Sequence, residues 1–170
     1  MTRLATIAAL LTLSATSALA QGGIAAAHLG AAVGISFPTG ALARTHASGF
    51  NLGGIAEYDA PGQPMGIRGE VFYERFGGKT TVAGARSAAS TAGIIDAIYH
   101  IPGSSLNAYF IGGMGIYSVT GNGTKPGFNG GVGIRIPLTG MTAYFEARLH
   151  KVLTDNSSYL SLPVTFGLSF

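Results

Sequence analysis

The stretch "LSLPVTFGLSF", Leu160 to Phe170, puts an apolar side chain at every second position. Leu160, Leu162, Val164, Phe166, Leu168 and Phe170 fall on one side, and Ser161, Pro163, Thr165, Gly167 and Ser169 on the other. Period two is the signature of a strand with two unlike faces, since a helix would scatter these residues around its axis. The apolar side runs through the last phenylalanine, where a soluble domain ordinarily ends in a hydrated, frayed tail. This strand is therefore expected to present its apolar face to something other than water.

Composition points the same way. Charged residues make up 10% of the chain, against about a quarter in a soluble globular domain. Beyond the N-terminus no apolar run is long enough for a membrane helix, while glycine fills 27 of 170 positions. Strands with one face toward lipid satisfy both facts, because a closed sheet pairs its own backbone groups. Residues 1–20 read as a cleaved secretory signal peptide: a basic start at Arg3, the apolar stretch "LATIAALLTLSATSA", and "ALA" before Gln21. The expected folded unit is then 21–170. With no cysteine in the chain, neither a lipoprotein anchor nor a disulfide framework is available.

Eight segments read as strands, each close to the roughly 9–11 residues that a tilted strand needs to cross a bilayer. They are His28 to Pro38, Phe50 to Tyr58, Met65 to Phe76, Thr91 to Ile101, Leu106 to Ser118, Phe128 to Leu138, Met141 to Lys151 and Tyr159 to Phe170. In the seventh, Met141, Ala143, Phe145, Ala147 and Leu149 alternate with Thr142, Tyr144, Glu146, Arg148 and His150. The polar faces together collect Glu57, Arg68, Glu70, Glu74, Asp96, Arg135, Glu146 and Arg148. Alternation alone permits either face to be the inner one. Low charge decides, because a water-facing barrel wall carries about 25–35% charged residues, so the polar faces are expected inside.

The connections differ in kind. "DAPGQP" (Asp59 to Pro64), "PGSS" (Pro102 to Ser105) and "LTG" (Leu138 to Gly140) are compact turns, whereas "TGALARTHASG", "GGKTTVAGARSAAS", "VTGNGTKPG" and "VLTDNSS" read mostly as longer loops. Short turns at one end and loops at the other are the pattern of an outer-membrane barrel. Aromatic residues agree, with Phe37, Phe50, Tyr73 and Phe128 near the loop end and Tyr58, Tyr99 and Phe170 near the turn end. The fold class expected is all-β, an eight-stranded antiparallel up-and-down transmembrane barrel.

On these features, and most specifically on "FEARLH" (Phe145 to His150) followed by "LSLPVTFGLSF", the chain resembles the small outer-membrane β-barrels of OmpA/OmpX type. The resemblance implies an assembly signal at the C-terminus, read by the outer-membrane insertion machinery, on which Leu162, Val164, Phe166, Leu168 and Phe170 fall. It also implies a monomer in the outer membrane of a Gram-negative-type bacterium. Two local features depart from an ideal strand. Pro163 cannot donate a ladder hydrogen bond, so a bulge or missing bond is expected there without a change of face. The glycines of the fifth and sixth strands are expected to make room for inward rings, with Gly133 near Tyr144.

The interior charges admit a plug or a path. An eight-stranded barrel is only wide enough for its own side chains, and buried charges must pair, so a lumen plugged by paired charges is the leading reading. The competing one is a carrier or narrow channel for small apolar molecules, in which Tyr109, Tyr117 and Tyr144 line a cavity instead of filling the lumen. Barrels resembling this one include lipid A acyltransferases and deacylases. The nucleophile–base pairs available here are His150 with Ser157 or Ser158 and His46 with Ser48. Deacylase-like barrels carry a compact His-x-Ser-Asn arrangement, whereas Ser157 lies seven positions beyond His150. No catalytic residue, cofactor or metal site is assigned, since no His, Cys and Asp have ligand spacing. "GGMG" and "GNGGVG" lie within or beside strands, not before a helix as a phosphate loop requires, and nucleic acid is not an expected partner. At the loop end Arg44, Arg75, Lys79, Arg86, Lys125 and Lys151 outnumber Asp155. They are either solvated loop charges or contacts to lipopolysaccharide phosphates; Arg44, Lys79, Arg86, Lys125 and Lys151 are the candidate contacts.

If the final strand carries the assembly signal, Phe170→Asp lowers the yield of assembled protein at the cell surface more than Ser169→Asp does. Equal surface levels of the two variants would remove this explanation of the apolar terminus.

Overall fold

The structure, a computed structural model, describes residues 27–154 and 159–170. The signal-peptide segment 1–20 lies outside the described residues, as do Asp155, Ser157 and Ser158. Eight strands follow one another around a closed antiparallel barrel, each hydrogen-bonded to its sequence neighbours. They are β1 (Ala27–Thr39), β2 (His46–Asp59), β3 (Met65–Gly78), β4 (Ala88–His100), β5 (Ala108–Val119), β6 (Gly123–Leu138), β7 (Met141–Val152) and β8 (Tyr159–Ser169). β8 closes on β1 from Gly30 opposite Ser169 to Thr39 opposite Leu160. Phe170 adds a last reciprocal pair, exchanging backbone hydrogen bonds with Leu29 at 2.9 Å in both directions.

Alternation is obeyed with the apolar side outward. Ile95 and Val71 are 70% and 67% exposed, while Arg68 and Arg148 are each 1% exposed, the reverse of a water-soluble barrel. Such a wall is stable only where hydrocarbon replaces water. Aromatic side chains gather toward its two ends. Phe50 and Tyr73 lie with ring centroids 6.0 Å apart near the loop end, and Tyr58, Tyr99, Phe110 and Phe170 are exposed near the turn end.

The turns use the expected chemistry: Gly62, Gly103 and Gly140 have φ of 72°, 75° and 78°, which L side chains rarely adopt. The described part of the loop end carries more regular structure than the sequence suggested. Leu42–Thr45 forms one helical turn, and β2 and β4 begin at His46 and Ala88, several residues ahead of Phe50 and Thr91. The stretch expected as the loop "VTGNGTKPG" is mostly ladder, with Val119 opposite Gly123 and Ile116 opposite Pro126. Gly121 and Gly123, at φ 81° and 68°, turn the chain early. Pro126 keeps a useful carbonyl, which accepts from Leu153 N at 2.9 Å.

At Pro163 the ladder with β7 lapses between the pairs Ala147–Val164 and His150–Ser161, then resumes in the same register. This is the missing bond without a change of face. The partner expected for Gly133 is corrected. The two-residue turn at 139–140 sets Gly133 opposite Glu146, and the ring over Gly133 is that of Tyr109, its partner on β5. Tyr144 instead lies over Gly167 on β8, and Tyr117 over Gly127, where a Cβ would come within 2.8 Å of the ring. Each of these three tyrosine rings thus occupies the space of a missing side chain.

Gly167→Ala should therefore destabilise the barrel by about 1–3 kcal/mol, because the added methyl meets the buried Tyr144 ring. Gly93→Ala, where a Cβ meets nothing within 4 Å, should change stability by less than about 0.5 kcal/mol. Urea unfolding of both variants in lipid vesicles checks the contrast.

Candidate functional site: the lumen and the loop end

Inward positions on successive strands bring the ionisable side chains to the axis, where the barrel is too narrow for them to be separately hydrated. At the turn end Arg135 on β6 reaches across to β2, pairing with Glu57 and, at 2.9 Å, with Asp59. His100 on β4 meets the other oxygen of Asp59 at 3.0 Å. Deeper in, Arg68 on β3 joins Glu57 at 2.7 Å and also Glu146 on β7. Tyr109 donates to Glu146 from above Gly133.

Arg148 completes the network. Its guanidinium bonds Glu70 at 2.6 Å and Asp96 at 3.0 Å, and its Nε lies 3.3 Å from Glu146. Asn129 donates to the remaining Asp96 oxygen at 2.7 Å. The aromatic rings close the gaps: Arg68 stacks over Tyr144 and Arg135 over Tyr109, each 5.1 Å from the ring centre. Tyr109, Tyr117 and Tyr144 are buried, so they fill the lumen and do not line a passage.

The structure joins Glu57, Arg68, Glu70, Asp96, Arg135, Glu146 and Arg148 in one network and adds Asp59 and His100 at its lower edge. It sets Glu74 apart. Glu74 lies toward the loop end, fully buried, and takes one hydrogen bond from Ser161 Oγ at 3.0 Å, with no ion pair among the described residues. Around it the lumen turns apolar, with Phe72, Phe76, Tyr117, Val119, Val152 and Tyr159 in one cluster.

The six loop-end cations sort into different environments. Arg75 faces outward between Phe50 and Ala89, and Lys151 outward between Phe128 and Leu160. Both stand on the apolar wall at its loop-side aromatic border. Arg44 and Arg86 are exposed in the loops. Lys79 donates to the carbonyl of Ala43 at 2.5 Å, at the helical turn. Lys125 sits opposite Tyr117 and so on the lumen face. All the described acids, Glu57, Asp59, Glu70, Glu74, Asp96 and Glu146, line the lumen or its turn-end mouth, while the exposed charges are Arg44, Arg75, Arg86 and Lys151.

The histidine–serine pairs do not assemble into a nucleophilic site among the described residues. His150 is buried and pairs through Nδ1 with Tyr117 Oη at 3.3 Å, and Ser157 and Ser158 lie outside the described residues. His46 Nδ1 is engaged by Thr45 Oγ1 at 2.8 Å. No group of three or more His, Cys, Asp or Glu among the described residues is arranged to hold a metal ion.

No protein-family model matches this sequence, and no curated protein matches it. Among solved structures it is similar to Neisserial surface protein A (NspA), with a TM-score of 0.62 and 17% identity over 84% of this chain and 95% of that one. It is also similar to a major outer membrane protein from Thermus thermophilus, with a TM-score of 0.50 and 16% identity over 85% of this chain and 98% of that one. The chain has the fold of the small eight-stranded transmembrane barrels.

Replacing Arg148 by methionine keeps its bulk but leaves Glu70, Asp96 and part of Glu146 without their cation. Stability should fall by about 3–5 kcal/mol, the cost of breaking a buried pair from one side. Adding Glu70→Gln and Asp96→Asn should recover part of the loss, as read from urea unfolding in vesicles.

Proposed function

We propose that this chain is a non-enzymatic, monomeric barrel of a bacterial outer membrane, sealed through its lumen, whose working surface is the loop end and whose partner there is lipopolysaccharide. The observation that carries the reading is the sorting of charge: among the described residues the acids are confined to the lumen and its turn-end mouth, and the exposed charges are basic. Arg75 and Lys151 stand where the apolar wall ends, flanked by Phe50 and Phe128. A cation at that height places its stem along apolar surface and its head among phosphates. Arg44 and Arg86 extend the same sign into the loops. The signal-like N-terminus and the alternation of the last strand support export and insertion by the outer-membrane assembly machinery.

Cell fractionation, with the mobility of unheated against heated protein in detergent gels, tests the location. Recovery as a soluble protein without a heat-dependent shift would overturn it. For the surface role, Arg75→Gln with Lys151→Gln should leave the heat-dependent shift intact and weaken association with lipopolysaccharide by about 1 kcal/mol per charge removed. The effect should be largest at low ionic strength, where screening is weakest. Binding that is unchanged at every salt concentration would reduce these residues to solvated wall charges.

A further inference from the structure

We propose that Glu74 is the anionic end of a binding site for a small organic cation, a primary ammonium on a short apolar stem, which enters from the loop end above the charge network. The site begins with an imbalance. Among the six acids of the lumen and its mouth, five pair with an arginine or histidine, and Glu74 pairs with neither among the described residues. It is fully buried, and its Oε2 makes no hydrogen bond of ordinary geometry among the described residues, although the hydroxyls of Ser36 and Tyr159 face the carboxyl. A buried carboxylate left in this condition is costly unless a cation or a proton neutralises it.

Its surroundings suit a cation with hydrogen atoms to donate. Ser90 stands directly opposite Glu74 across the β3–β4 ladder, and its hydroxyl is also buried without a partner among the described residues. The phenol of Tyr159 faces the Glu74 carboxyl, and its oxygen too makes no hydrogen bond of ordinary geometry. His150, opposite Ser161 on the neighbouring ladder, leaves Nε2 unpartnered. An ammonium group brings three N–H donors, and the oxygens of Glu74, Ser90 and Tyr159 are acceptors for them. Rings complete the enclosure: Phe76 packs edge-on to Tyr159 at 6.1 Å, and Phe72 and Tyr117 flank His150 at 5.0 and 5.9 Å. Aromatic faces around a carboxylate are the usual means of holding an organic cation.

At the loop end Tyr159 faces both the Glu74 carboxyl and an open cavity. A cavity of about 570 Å³ opens there, with Tyr159, Val119 and Leu42 among its lining residues, and two of these belong to the cluster over Glu74. Rotation of the Tyr159 ring would join cavity and carboxylate. Toward the turn end the Arg148 network blocks passage, so the site is a blind pocket and is compatible with a sealed lumen. The apolar part of the cavity is what selects an alkylammonium over a bare metal ion.

Titration calorimetry of the folded protein in a neutral maltoside detergent, with n-butylammonium chloride as probe and sodium and potassium chloride at matched ionic strength, tests the assignment. Saturable binding of n-butylammonium is expected, weakened at least about tenfold by Glu74→Gln, as the loss of a charge-assisted hydrogen bond implies. Tyr159→Phe should weaken it less. The heat-dependent gel shift establishes that each variant is folded, and Glu74→Gln relieves a buried charge, so that variant is expected to fold. Absence of saturable binding by the wild-type barrel would overturn the proposal and leave Glu74 as a protonated acid held by Ser161. Binding that survives Glu74→Gln would overturn it as well, and so would equal binding of sodium or potassium.

Discussion

One guanidinium sets the terms for the rest of the barrel. Arg148 on β7 bonds Glu70 on β3 and Asp96 on β4, across the lumen, and touches Glu146 on its own strand. None of these charges has water to return to, since eight strands enclose only enough space for the side chains themselves. A buried charge without a partner costs several kcal/mol, so the positions of Arg148, Arg68 and Arg135 constrain which residues their facing strands carry. The ion pairs are thus less a source of net stability than a condition on register: any slip by one residue would turn an arginine into the apolar wall.

Glycine solves the complementary problem of volume. Tyr109, Tyr117 and Tyr144 need room that an ordinary side chain opposite them would take, and Gly133, Gly127 and Gly167 leave it. Charge and ring then fill the lower and middle lumen together, through the stacking of Arg68 on Tyr144 and Arg135 on Tyr109. The outer wall is freed of charge up to its loop-side border. The loop end carries basic side chains and an open cavity, and the one lumen carboxylate outside the network among the described residues lies toward it.

The architecture is legible in the sequence because period two is a property of the strand itself, readable in "LSLPVTFGLSF" without knowing any neighbour. What depends on neighbours is not. Which ring covers Gly133 follows from the stagger between strands: a turn read as "LTG" points to Tyr144, whereas the two-residue turn sets Gly133 opposite Glu146 and β5 supplies Tyr109. The glycines and Pro126 before Phe128 read as loop, yet the segment continues the ladder to Gly123. Carrying the alternation back from Asn129 through Gly127 turns Lys125 inward. Glu74 differs from Glu70 only in height along one strand, and the distance of each from Arg148 is a fact of the closed barrel. Arg75 and Lys151, by contrast, can be assigned to the outer wall from their alternation with Tyr73 and Leu149.

Paired charges close the lumen of the barrel, and electrical recording reads this closure directly. Purified barrel inserted into planar bilayers in concentrated potassium chloride should give no steady unitary currents, because the Arg148, Arg68 and Arg135 network leaves no continuous water path. Large, stable single-channel currents from the unmodified protein would contradict the account.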